Sequence, residues 1–174
     1  MIQPAELLLV LRAQQGDREA LNSLLARIAP RLDRYVRGIV SGDASQADDV
    51  LQETLFRIAR KLGWLSEPAA FETWAYRIAS NEAYRALRRA HRRLEEDPLD
   101  ESLPAPEPST AKLEPDELRA MIAGLSPGSR AVLLLHFQEE QTLEEVASIL
   151  ALPLGTVKSR LAYGLKCLRE RVAR

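Results

Sequence analysis

Residues 94–115 decide how much of this chain can share one core. This segment holds five of the ten prolines, with seven acids and one lysine. Proline removes a backbone donor and stops helices, and like charges keep a chain extended. The segment therefore reads as an extended acidic linker. It divides the 174-residue chain into a unit at 1–93 and a unit at 116–174. Neither unit shows a strand pattern of useful length, and apolar residues recur at helical spacing. The expected fold class is all-α: two small helical domains joined by an acidic Pro-rich linker, the C-terminal one a helix-turn-helix.

That last element is read from Thr142 to Arg171. Leu143, Val146, Ala147 and Leu150 give one short helix over about 143–150, with Thr142 as its N-cap and Glu144 and Glu145 at its positive end. Pro153 blocks continuation and suits the first turn of the next helix. There Val157, Leu161, Leu165, Leu168 and Val172 form an apolar stripe. Thr156, Ser159, Tyr163 and Lys166 point away from it, and Lys158 and Arg160 flank it. Two helices joined by so short a turn can place the second in a major groove, with small polar residues at base edges and cations at phosphates. An amphipathic hairpin with a solvated basic face is the plainer reading.

The first unit is read as four helices. One covers 4–14 and ends at Gly16. A second starts at Asp17 and should be kinked or divided by Pro30. The third, 46–62, buries Val50, Leu51, Thr54, Leu55, Ile58 and Leu62. Its opposite face carries Asp49, Gln52, Glu53, Phe56 and Arg60. Phe56 near the centre of a polar face marks either a protein-binding surface or a spot covered by another helix. The fourth helix, 69–93, puts Phe71, Trp74, Ala75 and Ile78 on one face. It then runs into Arg85, Arg88, Arg89, Arg92 and Arg93 without an acid. Trp64, Trp74, Tyr76 and Tyr84 read as lying near this run, where aromatic faces and cations together suit single-stranded nucleic acid. For Trp74 a place in the core is the better reading. Beyond the linker, helices are expected at 115–123 and, capped by Ser126 with Pro127 in its first turn, through about 137.

Composition narrows the function classes. Residues 1–93 carry 15 Lys/Arg and 11 Asp/Glu, so the overall charge of −1 hides local basic patches. No apolar run nears the ~20 residues of a membrane helix. Glu6 breaks the apolar start, so no signal peptide is expected. One cysteine, Cys167, excludes an internal disulfide and points to a reducing cytoplasm. His91 and His136 fall in different units, and there is no Cys/His metal spacing and no phosphate loop. No cofactor or metal is expected, and an enzyme is not the reading.

Two separate stretches resemble one family. The first is Asp48-Asp49-Val50-Leu51-Gln52-Glu53-Thr54-Leu55-Phe56 with Phe71-Glu72-Thr73-Trp74-Ala75-Tyr76-Arg77-Ile78-Ala79-Ser80-Asn81. The second is Leu125 to Leu135, Glu145-Val146-Ala147 and Gly155-Thr156-Val157-Lys158-Ser159-Arg160-Leu161. Their order and the acidic linker between them resemble the extracytoplasmic-function group of bacterial sigma factors. The resemblance implies core RNA polymerase and promoter DNA as partners, with an anti-sigma factor beside them and no membrane insertion. It assigns polymerase docking to Asp48, Asp49, Gln52, Glu53 and Phe56. It assigns −10 recognition and strand opening to Trp74, Arg77, Asn81, Arg85, Arg88 and Arg89. It assigns duplex −35 recognition to Thr156, Lys158, Ser159, Arg160, Tyr163 and Lys166. Three positions depart from the family pattern: Tyr163-Gly164-Leu165, Ala151 where such turns often hold glycine, and Arg85. A helix-turn-helix regulator outside polymerase, or a sigma-like module held by an anti-sigma partner, are the competing readings.

Overall fold

The computed structural model describes residues 3–41, 44–96 and 115–172, with the side chains of 92–96 and 115–116 left aside. Eight helices carry the fold: α1 (Pro4–Gln14), α2 (Arg18–Val40), α3 (Ala44–Lys61), α4 (Phe71–Glu96), α5 (Pro115–Ala123), α6 (Pro127–Leu133), α7 (Leu143–Leu150) and α8 (Leu154–Val172). Among the described residues there is no strand. The linker expected at 94–115 falls mostly outside the described residues, and α4 continues through Glu96.

In the first half, α1, α2, α3 and α4 pack around Val10, Leu24, Ile28, Leu32, Tyr35, Val36, Ile39, Ile58 and Phe71, all fully buried. Each large apolar side chain removed from water contributes about 1.5–3 kcal/mol. Asp17 caps α2 by accepting from the Ala20 amide at 3.0 Å. The Tyr35 hydroxyl pairs with Ser80 Oγ at 2.7 Å, and its ring meets Tyr76 edge-on at 5.4 Å. Pro30 does not divide α2, which runs unbroken through Val40. Pro30 and Ala26 both lie on the exposed side, so the carbonyl that loses its partner can turn to water.

The connection after α3 is two single helical turns, Leu62–Trp64 and Pro68–Ala70. Gln14 fixes it by donating to the carbonyls of Leu62 (3.0 Å) and Leu65 (2.8 Å).

In the second half, Ser126 caps α6 as expected, accepting from the Ser129 amide. The helix expected through 137 instead widens after Leu133 into a π turn over Leu134–Gln138. The Glu139 amide there donates to Leu134 O, five residues back, at 3.0 Å. Thr142 and Glu145 form a full capping box at the start of α7. Val146 and Ile149 are its buried residues, with Leu143, Ala147 and Leu150 packed partly behind them.

Ala151 makes the turn between α7 and α8 in the left-handed region, φ 52° and ψ 47°. A β-carbon is strained there, whereas glycine is not. Ala151→Gly is therefore expected to raise the unfolding free energy by up to about 1 kcal/mol, read by urea denaturation; no gain would show that the turn relaxes around alanine.

On α8, Val157 and Gly164 are buried, while Val172 is 47 % exposed, so the expected stripe frays at its end. Gly164 has a packing reason that helix propensity hides. A Cβ there would meet Leu133 Cδ1 at 2.8 Å, so the glycine lets α8 approach α6 closely.

Candidate nucleic-acid interface

Three faces hold the residues singled out from the sequence. Asp48, Asp49, Gln52, Glu53 and Phe56 are all exposed along one side of α3, and Phe56 is 55 % exposed with the Arg60 guanidinium over its ring. Among the described residues no helix covers it. Asp48 pairs with Arg37 of α2. Beside this face, Asp49, Glu53, Arg57, Glu82 and Arg89 line a cleft of about 430 Å³ between α3 and α4. Glu82 is buried there between Arg57 (3.3 Å) and Arg85 (3.4 Å).

The second face lies on α4. At about 100° per residue, Trp74, Arg77, Asn81, Arg85, Arg88 and Arg89 fall within roughly 120° of arc, over about 22 Å of helix. Arg77, Asn81, Arg85, Arg88 and Arg89 are exposed. Trp74 is half-buried against Phe71, ring centres 6.3 Å apart, as its place on the apolar side required. The aromatics do not gather at the arginines. Trp64 is exposed before α4 begins, Trp74 is about 21 Å along the helix from Arg88, Tyr76 is buried and Tyr84 half-buried. Burial raises the pKa of Tyr84 against the opposing pull of the Arg160 and Arg130 charges. The stripe therefore offers cations and one amide, with a single aromatic edge at its start.

The third face is on α8. Ser159, Tyr163 and Lys166 are exposed and Thr156 half-exposed, sharing one side. Lys158 is exposed on one flank. Arg160, on the other, lies across Gly128 at the start of α6, where a Cβ would meet its Nη1 at 2.8 Å. The end of α8 is tied down by Arg171, which donates to Met121 O at 2.9 Å and Gly124 O at 3.3 Å. Cys167 is half-buried, as read from its place on α8. His136 Nδ1 is 2.9 Å from Gln141 O, a contact that holds the turn after α6.

Residues that sequence reading left without a role, together with Arg77, join the two halves. Glu139 is buried, its carboxylate accepting from the Tyr76 hydroxyl and from Arg31 Nε at 3.4 Å, with Arg34 Nη2 at 3.8 Å. Burial, and then the Glu139 bond, push the Tyr76 phenol far above its ordinary range. Burial works against the charge on Arg31, but Tyr76, Glu72 and Glu139 outweigh it and raise its pKa. Arg130 enters the C-terminal end of α2, where its Nη1 donates to Ile39 O at 2.5 Å and to Ser41 Oγ. Its Nη2 donates to Ala123 O and to Leu125 O at 2.9 Å. Arg77 donates to Ser148 O at 2.7 Å, across from α4 to α7. The one hint in the sequence is Gly38 within α2, on the side that carries Arg31 and Arg34.

Residues 24–93 match the model of Sigma-70 region 2, and residues 121–170 match that of Sigma-70, region 4. The ECF RNA polymerase sigma-E factor of Escherichia coli K12 is 33 % identical over 183 residues, covering 94 % of this chain and 92 % of that protein. This chain belongs to the sigma-70 family, in its extracytoplasmic-function group. The RNA polymerase sigma-H factor of Pseudomonas aeruginosa is 32 % identical, covering 88 % of this chain and 86 % of that one. SigE of Mycolicibacterium smegmatis is 33 % identical over 91 % of this chain, which spans only 65 % of that longer relative. CnrH, solved with the cytosolic domain of CnrY, shares the fold at a TM-score of 0.71 and 22 % identity, over 95 % of this sigma factor and 96 % of CnrH. RpoE of Bartonella quintana, solved with the anti-sigma factor NepR, does so at 0.74 and 23 %, over 87 % and 96 %. No described helix of this sigma factor is long and apolar enough to cross a membrane.

Proposed function

We propose that this sigma factor joins core RNA polymerase and directs it to promoters, the polymerase supplying all bond-making. The observation that carries this is the pairing of region 2 and region 4 in one chain with relatives matched along nearly its whole length. Residues 1–93 serve as the polymerase-docking and −10 unit, 94–115 as the acidic linker, and 116–174 as the −35 unit. The α3 face of Asp48, Asp49, Gln52, Glu53 and Phe56 docks on polymerase. The α4 stripe receives the opened −10 strand: Asn81 offers a donor and an acceptor to one base, and Arg77, Arg85, Arg88 and Arg89 take phosphates. Trp74, half-buried at the stripe's start, presents only its outer edge to a base. On α8, Thr156, Ser159 and Tyr163 meet duplex base edges, with Lys158, Arg160 and Lys166 on phosphates.

The protein works where polymerase and chromosome are, in the cytoplasm. An anti-sigma partner is proposed because RpoE, of the same fold, was solved with one, and CnrH was solved with the cytosolic domain of CnrY.

Transcription reconstituted from purified core enzyme, this protein and a genomic template library tests the reading, with transcript 5′ ends as the output. Defined start sites that need the protein support it. Failure to associate with core enzyme would sink it in favour of a helix-turn-helix regulator outside polymerase. Within that system, Asn81→Ala is expected to lower open-complex formation about tenfold, the value of one good base contact. Its affinity for core enzyme should not change; equal loss in both would mean a folding defect.

A further inference from the structure

Glu82 is a buried acid that the proposed function leaves unused. It lies on α4, 4 % exposed, and lines the cleft between α3 and α4. Two arginines meet the same carboxylate oxygen, Oε1. Arg57 of α3 brings its Nε to 3.3 Å, and Arg85 of α4 brings its Nη1 to 3.4 Å. Arg57 is itself shared, because the same Nε donates to Glu53 Oε1 at 2.6 Å, one turn back on α3. A line of contacts thus runs from Glu53 through Arg57 and Glu82 to Arg85. It joins the acidic face of α3 to the basic stripe of α4.

A buried carboxylate is costly unless cations attend it. The Nε of an arginine carries a single hydrogen, so one N–H is divided here between two acids. What Glu82 draws from Arg57, Glu53 loses. Arg57 and Arg85 in turn compete for one oxygen, so a closer Arg85 weakens the hold of Glu82 on Arg57. Glu53 is 46 % exposed and can receive a cation from outside, whereas the Glu82 side chain, at 5 %, cannot.

We infer that Glu82 is a positioning residue for polymerase docking: by drawing Arg57 inward it leaves the Glu53 carboxylate free for a cation of the polymerase. The inference rests on the reading of the α3 face as the docking surface. Glu82 touches neither partner and acts only through Arg57. Arg85 works through Glu82 in the opposite sense. A substitution on the DNA stripe is therefore felt at the docking face, on another helix. Arg85 departs from the family pattern, and Glu82 supplies the acid that this arginine faces.

The test uses the full chain with purified core enzyme, and a fluorescence titration reads the affinity. Glu82→Gln keeps the length of the side chain and an oxygen for both arginines but gives up the charge. It should weaken core binding about threefold, toward the lower end of couplings inside one charge network. Arg57→Gln should tighten core binding, and in that background Glu82→Gln should have no further effect. Glu67→Gln removes the same charge from an exposed residue between α3 and α4 and should leave the affinity unchanged. Arg85→Ala, at an exposed position, should tighten core binding by a factor similar to the Glu82→Gln loss. It carries the test if Glu82→Gln loses its helical circular dichroism.

Wild-type affinity in Glu82→Gln overturns the inference, and so does unchanged affinity in Arg85→Ala. An equal loss from Glu82→Gln with and without Arg57 also overturns it, since the lost charge alone would then be the cause. Wild-type protein that fails to bind core enzyme overturns the sigma reading and this inference together. That result is distinct from a set of variants that all bind as wild type does.

Discussion

Arg130→Ala is expected to lower the unfolding free energy by roughly 3 kcal/mol or more, since each buried acceptor left without its donor costs about 1–3 kcal/mol. One guanidinium serves four oxygens, on Ile39, Ser41, Ala123 and Leu125. They come from the end of α2 and from the turn between α5 and α6, so a single side chain fastens both halves. Burial lowers the Arg130 pKa, and no carboxylate among the described residues offsets it. Helix-end carbonyls and their dipole take the place of an acid. Among the described residues its Nε finds no hydrogen-bond partner, so the site carries some cost already. Arg130→Lys should recover only part of the loss, because an ammonium cannot span the fork that Nη1 and Nη2 span. Urea unfolding of the three proteins gives the ranking. A loss under about 1 kcal/mol for alanine would place the variant among ordinary surface substitutions and show that water replaces the guanidinium.

Phe56→Ala should leave stability nearly untouched and lower affinity for core polymerase by about 30-fold or more, the effect of removing an aromatic anchor worth about 2 kcal/mol or more. The ring is 55 % exposed, and within the chain it meets the Arg60 guanidinium at 5.6 Å, a contact of modest strength at an exposed site. No core contact is lost, so the thermal midpoint should stay within a degree or two, as for other surface changes. A fluorescence titration of labelled protein with core enzyme reads the affinity. Unchanged affinity would remove Phe56 from the docking face and leave the acids Asp48, Asp49 and Glu53 to carry it.

Much of this was legible before any coordinates. Helix positions followed the spacing of apolar residues, and the starts of α1, α6 and α7 fell where Pro4, Ser126 and Thr142 placed them. A single helix wheel put Phe56 on the polar face of α3, but whether another helix covered it was decided only by the structure, where it is exposed. The contacts between the halves could not be read in that way. Glu139 meets Tyr76 from 63 residues away, and Arg130 meets Ile39 from 91. Contacts so distant leave no periodic trace, and a buried acid looks in sequence like any solvated one. Arg77 carried a DNA role by resemblance alone, with nothing in the chain to announce Ser148 as its partner. Gly164 shows the same limit on a smaller scale: propensity records only its cost to α8, while its use depends on Leu133, 31 positions earlier.

The π turn at Leu134–Gln138 makes the contact between the halves depend on residue count as much as on residue type. One residue more or less rotates whatever follows in a helix by about 100°. A chain differing by a single codon between Leu134 and Glu139 could keep every side chain named here and still point its carboxylate away from Tyr76. Over evolutionary time, insertions and deletions at this point are therefore a sharper lever on how the halves pack than substitutions. Relatives of equal length in this turn are the ones in which the same Glu139 contacts can be sought.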